Sequence, residues 1–152
     1  MQNSVNWYFQ AIDSQLGINR VQEFLNKIEY GNQTTSSNLD LYWSDFSLKI
    51  SPLEQVTLLK KFNTNEFHLN FQNVFSVKNA IKIASTPNGN FYGKTGTGRV
   101  NGQDINGWFI GYVETSDNSY YFATNIQSDS NATGKKAFEI TSDILKKLHI
   151  WN

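Results

Sequence analysis

The run Phe91-Tyr92-Gly93-Lys94-Thr95-Gly96-Thr97-Gly98 sets one cation among hydroxyls and small residues. Its two aromatics favour an extended strand, and its three glycines let a ligand lie close against that strand's backbone. A lysine, two threonine hydroxyls and unobstructed N–H groups make a receptor for a carboxylate or a developing oxyanion. A phosphate suits the same donors. The Walker-type loop, however, is Gly-x-x-x-x-Gly-Lys-Ser/Thr opening a helix, and Lys94 precedes its glycines with a strand-like run behind it.

The elements that must hold this stretch follow from hydrophobic periodicity. Val5, Phe9, Ile12 and Leu16 give a helical stripe from Ser4 to about Leu16, stopped by Gly17. Asn19 and Gln22 resemble a capping pair, after which Val21, Phe24, Leu25 and Ile28 continue as a second helix. Tyr30-Gly31-Asn32 leads into the polar run 33–38, read as a surface loop closed by Tyr42 and Trp43. Ser51-Pro52-Leu53-Glu54 is a helix start with a capping box, and Leu53, Val56, Leu59 and Phe62 are its expected buried face. Val74, Val77, Ala80, Ile81 and Ala84 predict another helix, ended by the run 85–89. The period then becomes extended. Phe91–Gly96, Trp108–Thr115 and Tyr120–Ile126 are the expected strands, with turns at Asn101-Gly102 and 116–119. A last helix, Thr133 to Leu148, is expected to bury Ala137, Ile140, Ile144 and Leu148. Helices, an antiparallel meander and a closing helix make an α+β domain of about one-domain length.

Composition bounds the chemistry. Lys plus Arg and Asp plus Glu are both 13, so no global field attracts nucleic acid or an anionic membrane. With no cysteine, disulfides and thiolate metal sites are excluded, and His68 and His149 stand far apart, so no metal is expected. No run reaches the ~20 apolar residues of a membrane span, and Met1-Gln2-Asn3 does not resemble a secretory leader. Aromatics at 14% hint at a ring-lined groove.

Ser4-Val5-Asn6 on the opening turn of the first helix would, alone, be read as an N-cap serine. It is accompanied by Lys94-Thr95-Gly96, and penicillin-binding proteins and serine β-lactamases combine such triplets with a Ser-x-x-Lys. The ordered set Ser4 to Phe9, Tyr30-Gly31-Asn32, Trp43 with Ser47 to Gln55, Lys94 to Gly98 and Asn106 to Val113 resembles class D β-lactamases. It resembles equally the homologous sensor domains of Gram-positive membrane β-lactam receptors, over essentially the whole chain. The resemblance implies a β-lactamase/transpeptidase-like fold, an antiparallel sheet flanked by helices. It also implies β-lactams or peptidoglycan-like D-Ala-D-Ala peptides as partners, and an extracytoplasmic setting for the complete protein.

By the same resemblance Ser4 would relay a proton to the β-lactam nitrogen, Lys94 would anchor charge beside it, Thr95 would bind the substrate carboxylate, and the Thr97 N–H would be one oxyanion donor. Asn6, Gly96 and Trp108 fall in the substrate-binding motifs. Trp43 would hydrogen-bond a carbamylated lysine, and Leu48 would keep that pocket dry. Tyr30 to Asn32 could equally be a fixed turn. Lys135 or Lys136 is a poor match to a carboxylate-binding arginine and is better read as a solvated helix start. Ser4 is expected to lie near Lys94, and Trp43 to face the same groove.

Asn6, where many class D enzymes have valine, and the short connection 97–102 resemble the sensor and Gram-positive branches. The larger departure is that no lysine of this chain has a serine three residues before it, although a neutral hydroxyl attacks slowly without a nearby base. The family's Ser-x-x-Lys, which carries the carbamylated lysine, precedes the Ser-x-Asn motif. The chain is therefore expected to be the C-terminal portion of one such domain (1–152), with the N-terminal portion a missing partner and no cofactor of its own. Hydrolysis of a β-lactam, acylation without turnover in a sensor, and an inactive remnant are the three readings.

Overall fold

The computed structural model describes residues 4–35, 42, 43 and 46–151. Part of the expected polar loop, residues 36–38, lies outside them. The chain divides into two compact units, Met1–Leu58 and Leu59–Asn152, the boundary falling inside a helix.

In the first unit, α1 (Asn6–Leu16) and α2 (Ile18–Lys27) are separated by Gly17, whose φ of 78° turns the chain while its N–H bonds Asp13 O. The expected stripe of α1 is not buried, and Ile12 and Leu16 remain largely exposed. Helical spacing shows which face could be covered, not that something covers it. α2 does bury Val21 and Leu25. The expected Asn19–Gln22 cap is also corrected, because α2 starts at Ile18 after Gly17 with no side-chain cap. Gln22 instead donates to Asn26 Oδ1 and Gln33 O and accepts from Thr35, tying α2 to the following loop.

α3 (Pro52–Asn63) begins with the expected capping box. The Ser51 N–H donates to Glu54 Oε2 at 2.8 Å, and the Glu54 N–H to Ser51 Oγ at 3.3 Å. Hydrogen bonding to its carboxyl from the Ser51 side chain, and then from the Ser51 N–H, holds Glu54 below its ordinary range. The buried face is shifted from the expected one: Leu53 is 77% exposed, and Gln55, Leu58 and Leu59 are buried. Gln55 can go inside because its Oε1 accepts from the Tyr30 hydroxyl.

The second unit is built on a meander of four antiparallel strands in sequence order: β1 (Lys82–Thr86), β2 (Gly89–Val100), β3 (Gln103–Thr115) and β4 (Ser119–Gln127). Before them α4 (Phe71–Ile81) is capped by Asn70, whose side chain accepts from the N–H groups of Gln72 and Asn73. The predicted continuation of this helix to Ala84 is wrong. Lys82 turns to extended geometry, and Ala84, Ser85 and Thr86 pair with Phe91, Asn90 and Gly89 across the Pro87-Asn88 turn. Ile83 and Thr86 are β-branched, and pairing with β2 outweighs the helical spacing of Ala84.

α5 (Gly134–Lys147) packs on one sheet face, where Phe91, Phe109, Val113, Ala137 and Leu145 form the core, with Phe138 and Trp151 ringing Phe91. Its buried stripe is Gly134, Ala137, Thr141 and Leu145, while the expected Ile140, Ile144 and Leu148 are exposed. Thr141 reads as a surface residue but is buried because its hydroxyl is satisfied by Ala137 O and Thr124 Oγ1. The opposite sheet face carries a tyrosine row, Tyr92 stacked on Tyr112 at 4.7 Å and Tyr112 against Tyr121 at 5.7 Å.

Burial raises the phenol pKa of Tyr30, Tyr42, Tyr92 and Tyr112, with Asp13 adding to the effect at Tyr42 and Glu114 at Tyr92 and Tyr112. A group whose folded pKa lies above its unfolded value of about 10 contributes stability below that pH and loses it as pH climbs further. Melting temperature is therefore expected to drop from about pH 10 upward. Among the described residues the Tyr112 hydroxyl is buried without a hydrogen-bond partner. Tyr112→Phe removes that unsatisfied group, so it should leave stability unchanged or raise it by about 1 kcal/mol, and move the alkaline transition upward.

Candidate active site

Within the second unit, β2 pairs with β3 from Gly89 to Val100, but with β1 only as far as Tyr92. From Gly93 to Val100 its other edge has no strand partner among the described residues, and every second residue of an antiparallel strand turns its N–H and C=O to such an edge. Lys94, Thr95, Gly96 and Thr97 all lie on this part of β2, and Gly96 is directly opposite Trp108 on β3. The structure thus brings together five of the sequence-predicted residues.

Strand alternation sorts them by face. Thr95 and Thr97 share the α5 face with Phe91 and Phe109, whereas Lys94, Gly96 and Trp108 share the face of the tyrosine row. The Thr97 hydroxyl accepts from the Gly134 N–H at 2.9 Å. Lys94 is partly buried, and its ammonium donates to Thr95 O at 2.6 Å. Desolvation pulls the Lys94 pKa down. That sign means a destabilising charge at neutral pH, relieved as pH rises through the folded-state pKa. It opposes the tyrosines, but one half-exposed lysine does not offset four phenols.

A cation, amide donors on an unpaired edge and little side-chain bulk can hold an extended anionic ligand and stabilise charge growing on a carbonyl oxygen. Lys94→Met keeps the stem and removes the charge. Thermal melts should then show equal or slightly raised stability, and titration with a carboxylate ligand should show affinity lowered at least roughly tenfold, in line with loss of a charged hydrogen bond.

The first unit holds the other predicted residues. Ser4 is exposed with φ 45°, and the helix cap falls on Val5, without a side-chain cap bond. Ser4 is thus not the N-cap that its type and position suggest. Asn6 is the first residue of α1 and is exposed. Trp43, 36% exposed, sits in a loop closed where Tyr42 O accepts from the Leu48 N–H and the Ser47 hydroxyl. The Tyr42 hydroxyl donates to Asp13 Oδ2, linking Tyr42 to α1.

The Tyr-Gly-Asn turn is a structural latch. The Asn32 N–H donates to Lys49 O, the Lys49 N–H to Asn32 Oδ1, and Asn32 Nδ2 to Ser47 O, all within 2.9 Å. Gly31 has φ 50°, and a Cβ there would stand 1.9 Å from Lys49 O. At the other end of the chain Lys135 is exposed and at 3.9 Å from Glu139, as suits a solvated helix start.

Sequence reasoning missed the Thr97–Gly134 contact. A signal was present, since glycine inside a helix is disfavoured relative to alanine, and one at the start of α5 calls for a packing reason. It also missed the amide ladder beside Trp108, where Asn125 donates to Asn106 Oδ1 and Gly107 O, and Gln127 donates to Asn125 Oδ1. A shallow groove at the β2–β3 turn, lined by residues such as Val100, Asn101 and Gln127, contains none of the predicted site residues. Among the described residues no cluster suits a metal ion.

Comparison with known proteins agrees with this geometry. The family described as "Penicillin binding protein transpeptidase domain" matches residues 1–146. The regulatory protein BlaR1 of Bacillus licheniformis is 46% identical over 151 residues, covering 99% of this chain and 25% of that protein. The solved C-terminal domain of the Bacillus licheniformis BlaR penicillin-receptor superposes with a TM-score of 0.95 at 45% identity, covering 100% of this chain and 61% of that one. A class D β-lactamase from Bacillus subtilis gives a TM-score of 0.91 at 37% identity, covering 100% of this chain and 62% of that one. The chain thus spans about a quarter of that curated relative's length and under two thirds of the solved domains. Ordered motifs, an antiparallel sheet with α5 on one face, and these matches lead to one conclusion: this chain belongs to the penicillin-binding protein transpeptidase domain family.

Proposed function

We propose that these 152 residues supply the anion-binding strand and part of the pocket of a serine acyl-transfer domain that recognises β-lactams. The observation that carries the reading is the β2 edge that has no strand partner among the described residues from Gly93 onward, with Lys94 on it and Gly96 unobstructed. Acylation joins a serine oxygen to the lactam carbonyl carbon, breaks the ring C–N bond and delivers the hydroxyl proton to the nitrogen. In that sequence the Thr97 N–H receives the oxyanion, Thr95 and Lys94 hold the ligand carboxylate and its field, and Ser4 passes the proton. Asn6, Gly96 and Trp108 line the ligand. Trp43 is the hydrogen-bond partner of a carbamylated lysine, and Leu48 shields it. The serine and that lysine belong to a Ser-x-x-Lys that is not among these residues.

D-Ala-D-Ala peptides, which present a similar carboxylate and amide, are a second occupant of the same edge. The setting is extracytoplasmic, where both ligands are met. Among the described residues no helix is long and apolar enough to cross a membrane.

Two fates of the acyl group are open to this chemistry. Turnover by water makes a class D β-lactamase, and a long-lived adduct makes a sensor. The identities of 46% and 45% to a BlaR regulator and its receptor domain, against 37% for the class D enzyme, favour the sensor. The test labels the protein that carries these residues together with a Ser-x-x-Lys, using a fluorescent penicillin. Label that persists for hours supports the sensor, label that decays with release of hydrolysed product supports the enzyme, and no label at all overturns the acyl-transfer reading.

A further inference from the structure

We infer that the Thr97 hydroxyl and Gly134 at the start of α5 form a latch that sets the β2 edge in position, which makes the Thr97 side chain and Gly134 positioning residues for the acyl-transfer site. The ligand part of this inference rests on the function proposed above; the latch itself rests on the second unit alone.

Two independent observations carry it. One is the hydrogen bond from the Gly134 N–H to Thr97 Oγ1 at 2.9 Å, which uses a helix N–H that has no partner inside α5. The other is steric. A Cβ on Gly134 would stand 2.6 Å from Gly96 O, 2.9 Å from Thr95 Cβ and 3.0 Å from Gly96 N. The same wedge touches β3, since a Cβ on Gly107 would stand 2.4 Å from Thr133 O. The Ala132 N–H donates to Asp104 O at 2.8 Å and fixes the approach to the helix.

The front of the strand is different. A Cβ on Gly96 would meet only Trp108 Cβ, at 3.7 Å. Gly96 is therefore pressed from behind by the helix start and open on its other face. A displacement of Gly134 passes directly to the backbone of Thr95, Gly96 and Thr97, the residues assigned to the carboxylate and the oxyanion. Acyl-transfer sites are sensitive to such shifts, a misplacement of about 1 Å being enough for roughly hundredfold losses.

The experiment measures amide hydrogen exchange of residues 95–98 and benzylpenicillin affinity by chemical-shift titration, on the wild-type chain and four variants. Thr97→Val keeps the volume and loses the acceptor, Thr97→Ser keeps the acceptor, and Gly134→Ala adds the colliding methyl. Thr124→Val loosens α5 elsewhere, at the Thr124–Thr141 hydrogen bond. Thr97→Val and Gly134→Ala are expected to speed edge exchange roughly tenfold, as loss of one hydrogen bond allows, and to weaken benzylpenicillin binding severalfold. Thr97→Ser restores both readouts. Thr124→Val lowers the melting temperature and leaves edge exchange and affinity unchanged. If Gly134→Ala does not fold, Thr97→Val, which adds no volume, decides the outcome. Wild-type exchange in Thr97→Val overturns the latch. Altered exchange with wild-type affinity overturns the positioning role. A wild-type chain that shows no shifts with benzylpenicillin overturns the proposed function and leaves the exchange arm to decide the latch.

Discussion

Incubated with a fluorescent penicillin, denatured and weighed, the 152-residue chain is expected to keep its unmodified mass. The reason is chemical. A serine hydroxyl with an ordinary pKa attacks a lactam slowly unless a base takes its proton, and none of the lysines here follows a serine by three residues. The nucleophile's own N–H, by resemblance the second oxyanion donor, is missing with it, and loss of one such donor alone costs on the order of 10²–10³ in rate. Covalent labelling should therefore be absent over hours, while the non-covalent contacts of Lys94 and the β2 edge remain. A stoichiometric adduct on any serine of this chain would refute the assignment and reveal an activated hydroxyl outside Ser-x-x-Lys. Label that appears only when a separately made segment bearing Ser-x-x-Lys is added would show the anion strand completing a working site in trans.

Gly31→Ala is expected to cost about 3 kcal/mol, several times the usual effect of a surface substitution. Alanine at φ 50° pays about 1 kcal/mol for left-handed geometry. Its methyl cannot coexist with a carbonyl oxygen 1.9 Å away, so the segment around Lys49 must retreat. That retreat breaks the paired bonds between Asn32 and Lys49, each contributing about 1 kcal/mol. Ser47 and Leu48 lie within this segment, so the damage reaches the loop that presents Trp43. Hydrogen exchange of residues 30–50 and chemical denaturation would register it. A variant within about 0.5 kcal/mol of wild type would show that the turn is not the clasp described.

Much of the second unit was legible because its signals are local. The Lys94 strand β2, the two strands β3 and β4 that follow it, the Asn101-Gly102 turn and the last helix follow from alternation and turn chemistry. The Ser51–Glu54 cap was legible for the same reason. β1 was not, because Ala84 continues a helical spacing while its strand identity comes from pairing across Pro87-Asn88. The buried faces of α3 and α5 were misread by a residue or so, since Gln55 and Thr141 count as polar by type. Only the hydrogen bonds they find inside explain their burial. In α1 the spacing was correct, but spacing does not say whether a stripe is covered, and none of this one is buried. Of the site, the residues on β2 and β3 could be placed because they share a few consecutive positions. The Thr97–Gly134 contact spans 37 residues, and no periodicity reports it.

A strand edge repeats itself every two residues, so a ligand that binds only through backbone groups could slide along it and find the same bonds again. Between Gly98 and Arg99 the pairing of β2 with β3 shifts, Gly98 facing Asn106 and Arg99 facing Asp104, so that Ile105 is left over. On the other side Tyr92 is the last residue taken by β1. Between these two points lie six residues of regular β2–β3 pairing, Gly93 to Gly98, whose other edge has no strand partner among the described residues and which contain a single charge, on Lys94. Such an edge works as a ruler with one mark. Under the function proposed above, it would seat a short extended ligand with that ligand's negative end by the lysine.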